Sequence, residues 1–133
     1  MSKRIGVTVA ALLSLLAIGV GAARAGVPTG IAADDSGTLS DDPGQTYFVG
    51  HLTSPKAKCV ADRKVKILYG YNGSPDPRLV DTDHSSKEGA FAGDGPTQHA
   101  GNGLVFIRVR VLEKNIGTRH HPNICASFQD DFG

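Results

Sequence analysis

The chain has 133 residues, of which 20% are charged and 6% aromatic, with no tryptophan; 14 Lys+Arg stand against 13 Asp+Glu, a formal net charge of +1. The two signs are dispersed, which speaks against the clustered basic face of a nucleic-acid binder and against a polybasic patch that docks on membranes. This length suits one domain with a modest core.

Residues 1–25 read as an export signal to be cleaved. Lys3 and Arg4 precede an uncharged apolar run over 5–20, and Ala23-Arg24-Ala25 supplies a small-x-small cleavage site ahead of Gly26. As an uncleaved anchor the run is short of the roughly 20 residues a span needs. Cleavage removes Lys3, Arg4 and Arg24 and no acidic residue, leaving a net charge of −2. Neither cysteine sits where a lipid would be attached, there is no second apolar run, and the last residues carry no sorting motif. The expectation is a secreted, extracellular protein with no membrane association after cleavage.

Residues 26–44 are small, polar and rich in turn formers, and predict a flexible leader, or a strand added late, ahead of a domain over 45–133. Asp34-Asp35 and Asp41-Asp42 lack the spacing of a calcium loop and are expected to be solvated charge. From Gln45 the pattern becomes β. In TYFVGHL, Tyr47, Val49 and His51 share one face, with Phe48 and Leu52 on the other. In RKVKILY, Val65, Ile67 and Tyr69 alternate with Lys64 and Lys66, which predicts a half-buried strand. A turn cluster at 71–77 contains Asn72-Gly73 and two prolines. Asn72-Gly73-Ser74 is also formally a glycosylation sequon, read here as part of the turn. Short strands are expected at 78–83 and 89–92, and a Gly-rich loop over 93–103. LVFIRVRVL (104–112) predicts a strand with Val105, Ile107, Val109 and Val111 on one face. A loop over 115–123 then leads to a final strand at 124–128.

Outside the export signal no window holds an apolar period near 3.6. Short strands separated by turn signals predict an all-β protein, an Ig-like β-sandwich of about seven short strands. The chain has two cysteines, Cys59 and Cys125. In an oxidising compartment they are expected to form one disulfide. A nucleophilic thiol would want a positioned histidine, and a zinc site more thiolates or spaced histidines.

Residues 47–128 resemble a prealbumin-like (transthyretin-like, carboxypeptidase-regulatory-like) β-sandwich domain of secreted bacterial proteins. The resemblance is carried by Phe48-Val49-Gly50-His51-Leu52, by Cys59 with Arg63 through Tyr69, by Ser85-Ser86-Lys87-Glu88-Gly89-Ala90-Phe91, by Val105 through Val109, and by Cys125-Ala126-Ser127. Ser85-Ser86 stands where Thr-Asp is usual. Hydroxyisourate hydrolases of the wider fold end in Tyr-Arg-Gly-Ser, whereas this chain ends Asp-Asp-Phe-Gly. The resemblance therefore implies an architecture and not an enzyme.

Chemistry-bearing candidates are sparse. His120-His121 could hold a metal with His51, His84 or His99, but no H-x-H or H-x3-H spacing supports it. DTDHSSKE (81–88) begins like an EF-hand loop with Asp81, Asp83 and Ser85, yet has Ser86 where glycine and Ala92 where glutamate is required. No G-x-S-x-G occurs, and the glycines of 93–103 lack the lysine and helix of a phosphate cradle. The expected function is a secreted, non-enzymatic binding module without cofactors. Its partner would be an extracellular protein or glycan, met by loops carrying His99, Asn102, Arg119 and His120. The alternatives are a metal-binding extracellular module using His120, His121 and nearby carboxylates, and a small hydrolase whose site assembles only in three dimensions.

Overall fold

A computed structural model describes residues 26–133; the export signal expected over 1–25 lies outside the described residues. The all-β sandwich is what the structure shows. Seven strands of five residues or more form two antiparallel sheets. These strands are β1 (Gly30–Thr38), β2 (Gln45–Thr53), β3 (Lys64–Tyr71), β4 (Arg78–His84), β5 (Ala90–Pro96), β7 (Asn102–Val111) and β10 (Phe128–Phe132). Three two-residue strands complete the set: β6 (Gln98–His99), β8 (Lys114–Asn115) and β9 (Ile124–Cys125). One sheet has the order β1-β2-β5 and the other β10-β7-β3-β4, with β6 attached to β7. No helix among the described residues is long and apolar enough to cross a membrane.

The core follows from strand alternation. Phe48 and Leu52 of β2 and Phe91 of β5 meet Val65, Ile67 and Tyr69 of β3 and Ile107, Val109 and Val111 of β7 between the sheets. Each strand pairs within residues 26–133 and the core closes there, so this stretch is a self-contained folding unit. The Tyr69 hydroxyl donates to the Thr46 carbonyl across the core. That bond satisfies the buried polar end of the ring.

One open alternative is decided and three expectations are corrected. Residues 30–38 of the leader take the second of its two expected forms, a nine-residue strand paired along β2, with a bulge between Ala33 and Asp35. Its small residues carry no alternating hydrophobic signal, so only the partner strand reveals it. The Gly-rich stretch 93–103 is mostly sheet. Gly93 and Gly95 lie inside β5, where a Cβ at Gly93 would strike Ile67 and one at Gly95 would lie 2.7 Å from Val80. These glycines let the sheets approach and do not loosen the chain. Only Ala100 and Gly101, with φ of 52° and 84°, form the tight hairpin turn between β6 and β7. The last strand is β10, four residues later than expected, while Cys125 sits in the short β8–β9 hairpin. Val105, finally, is not in the core.

Candidate functional site

The two long seams of the sandwich are built differently. At the seam between β4 and β5, two aspartates each bridge both edges. Asp81 accepts the Thr82 N–H at 2.8 Å and the Asp94 N–H at 3.0 Å. Asp83 accepts those of His84 and Ala92, both at 2.9 Å. These carboxylates replace a backbone ladder between strands of different sheets, and they occupy the edge donors that a strand otherwise leaves open. A bulge at Val80, between the pairs Ile67↔Asp81 and Leu68↔Leu79, turns Val80 toward the core beside Gly95. The acidic residues that begin like a calcium loop are therefore seam closures.

The seam between β1 and β10 has no such bridge, and a cleft of about 260 Å³ opens there. Its wall on one side is Ser36, Gly37 and Thr38; its floor is Phe48, Ile107 and Phe132. The Phe132 and Phe48 rings lie 5.3 Å apart. A second bulge shapes the mouth. Gly70 pairs with Phe106 and Tyr71 with Leu104, so Val105 has no partner on β3. The extra residue sends Leu104 against the core and leaves Val105 51% exposed at the cleft. Sequence alternation put Val105 inside because a one-residue bulge leaves no mark on the pattern. On the outer face of the same sheet, the Phe106 ring covers Gly70 and Arg108 stands 5.5 Å from its centroid.

Alternation divides β10 between two environments. Arg108 donates to both oxygens of Asp131, at 2.8 and 3.0 Å, and Arg110 donates to Gln129. The Arg108 hydrogen bond holds the Asp131 carboxyl below its ordinary pKa, and Asp131 in turn raises that of Arg108. Phe128, Asp130 and Phe132 take the opposite, seam-facing side. Phe128 is 39% exposed and lines a shallow depression with Pro28 and Pro55. The open seam thus runs from apolar Phe128, past the carboxylate of Asp130, to apolar Phe132 and Val105.

The residues singled out by sequence do not converge. His99 and Asn102 face each other in the β6–β7 hairpin, and the His99 ring lies 5.7 Å from that of Tyr71. Arg119, His120 and His121 lie in the β8–β9 loop, reached from the other end of β7. The candidate binding residues are therefore divided between opposite ends of the sandwich. His51 pairs with Asp34 at 2.9 Å and His84 with Asp62 at 3.3 Å, both on the surface. Among the described residues no three His, Cys, Asp or Glu side chains come together as a metal site.

Cys59 and Cys125 form the expected disulfide, both residues fully buried. Beside it lies a residue that the sequence reading named only within the prealbumin-like resemblance. Arg63 has no exposed surface, and all five of its N–H donors are used. Nε and Nη2 donate to the Leu112 carbonyl, Nη2 also to that of Ala126, and Nη1 to the Cys59 carbonyl and the Thr29 hydroxyl. Burial pushes its pKa below the ordinary arginine range. No carboxylate takes part; carbonyl dipoles stabilise the charge. The guanidinium fastens the start of β1, the turn before β3, the end of β7 and the chain after β9 into one node. Arg63 stands in phase with Val65, Ile67 and Tyr69, so alternation places it on the inner face, but its residue type gives no sign of a buried role. A comparison with protein-family models, curated proteins and solved structures finds no match to this chain.

Proposed function

We propose that this protein is an exported, non-enzymatic β-sandwich module that binds a protein partner outside the cell through the open seam between β1 and β10. The observation that carries this reading is the exposure of Val105 by the β7 bulge at the mouth of an apolar cleft. Bulges commonly re-aim side chains beside binding sites. A cleft that combines aliphatic and phenylalanine side chains with the hydroxyls of Ser36, Thr38 and Thr46 suits a peptide better than a glycan, which stacks on exposed rings. Export is supported by the pattern of residues 1–25 and by the buried disulfide, which an oxidising compartment sustains. The prealbumin-like resemblance of the sequence also favours a non-catalytic role.

The test is amide NMR of the oxidised protein from Gly26, titrated with indole as an apolar probe and then with a panel of oligosaccharides. The expected result is indole-dependent shifts at residues 36–38 and 104–107, lost in Val105→Lys. Shifts confined to the 98–103 or 115–123 loops, or saturable glycan binding, would move the site elsewhere. Turnover of an ester or peptide panel would replace the binding reading with a hydrolase.

A further inference from the structure

Taking the open seam as the binding site, we propose that its occupant is an extended strand of a partner protein that pairs with the free edge of β10 and carries the pattern apolar-x-Lys/Arg-x-apolar. β10 is bonded to β7 alone; on its other edge Asp130 holds the Asp131 N–H, and the remaining backbone groups are unpaired. Adding a strand to such an edge is a common mode of peptide recognition. Of the two edges at this seam, β1 is broken by its bulge near Asp34, whereas β10 pairs in unbroken register from Phe128↔Val111 to Phe132↔Ile107. A regular edge is the better template.

The pattern follows from the face that β10 turns to the seam. Phe128, Asp130 and Phe132 stand at alternate positions, about 13 Å from first to last at strand spacing. Side chains of an added strand would lie beside them in the same order. Phe128 and Phe132 offer apolar neighbours. Asp130 accepts its neighbour's N–H but makes no ion pair, unlike Asp131, which Arg108 takes up on the other face. A cation at the centre of the incoming strand would pair with Asp130, and an anion would be repelled. The closed seam differs in reach: Asp83 and Asp81 also hold the Ala92 and Asp94 N–H groups of the facing strand, whereas Asp130 holds only an N–H of its own strand.

The experiment uses two capped heptapeptides, Thr-Val-Thr-Lys-Thr-Val-Thr and its Glu-centred counterpart, titrated into the oxidised protein from Gly26 and into Asp130→Lys. The Lys peptide should bind the unaltered protein at least about tenfold more tightly than the Glu peptide. Asp130→Lys should reverse that preference, and amide shifts should follow β10. Asp130 makes no contact with the core, and its amide spectrum establishes that the variant is folded. Equal affinity for the two peptides, no reversal in Asp130→Lys, or shifts centred on β1 or β4 would overturn the proposal. If neither peptide binds while indole still shifts residues 104–107, the strand proposal fails and the cleft reading stands. If indole also fails, both fall.

Discussion

The Asp83 carboxylate binds Ala92 across the sandwich. One of its oxygens takes the Ala92 N–H of β5 while the other takes the His84 N–H of β4, each at 2.9 Å. With Asp81 one pair further along, it joins two strands that share no ladder. Replacing both aspartates by alanine leaves four edge N–H groups without these acceptors. The expected loss is about 2 kcal/mol in urea unfolding, taking partly exposed hydrogen bonds at a fraction of a kcal/mol each. The double asparagine variant keeps one acceptor oxygen per site and should recover part of the loss. Alanine variants as stable as the parent would remove the seam role.

Arg63 should be the most sensitive polar position. Arg63→Leu strands the Leu112, Cys59 and Ala126 carbonyls and the Thr29 hydroxyl in a buried node, and we expect a cost of about 3–5 kcal/mol. Arg63→Lys keeps the charge with three donors and should fall between. The measurement is chemical denaturation with the disulfide intact. A leucine variant within 1 kcal/mol of the parent, on the usual scale for surface changes, would contradict it.

Reduction probes the neighbouring bond. The disulfide joins positions 66 apart. On the chain-entropy account its loss costs roughly 4 kcal/mol. Cys59→Ser with Cys125→Ser should lower the melting midpoint by well over ten degrees, at about 4–8 °C per kcal/mol for a domain of this size. Because both residues are buried, the native protein should resist mild reductant and lose the bond only as it unfolds. Rapid reduction under native conditions would show that the node opens on its own.

Tyr69 sets the alkaline limit. Burial, followed by the nearby Asp94 charge, raises its pKa well above the ordinary value. The unfolded chain then loses a proton near pH 10 that the folded chain keeps. Protons are bound more tightly in the folded state, so stability falls as pH rises beyond about 10. Tyr69→Phe should flatten that fall while lowering stability at neutral pH through loss of the bond to Thr46. An unchanged alkaline slope would assign the limit to another group.

What could be read in advance depended on how local the cause was. β3 and β7 were legible because Val65-Lys66-Ile67 and Val109-Arg110-Val111 alternate as a half-buried strand must. The disulfide was legible because two cysteines have one way to pair. β1 was legible only as an alternative to a flexible leader, since Ala32, Ala33 and Ser36 become a strand only against β2. Gly93 and Gly95 look like loop residues until Ile67 and Val80 are placed beside them. The open seam escaped the sequence altogether: it depends on a single unpaired residue, Val105, and on which of two acidic neighbours faces inward. Asp130 and Asp131 are identical as letters and opposite in environment.

The carboxylate-closed seam also bears on assembly. A head-to-tail filament needs two complementary free edges on each subunit, so that every copy gives and receives. Here one side of the sandwich has its edge donors held by Asp81 and Asp83. A strand received at β10 cannot be relayed to a further molecule across that side. The same two aspartates that hold the sheets together thus withdraw one side of the sandwich from edge-to-edge growth.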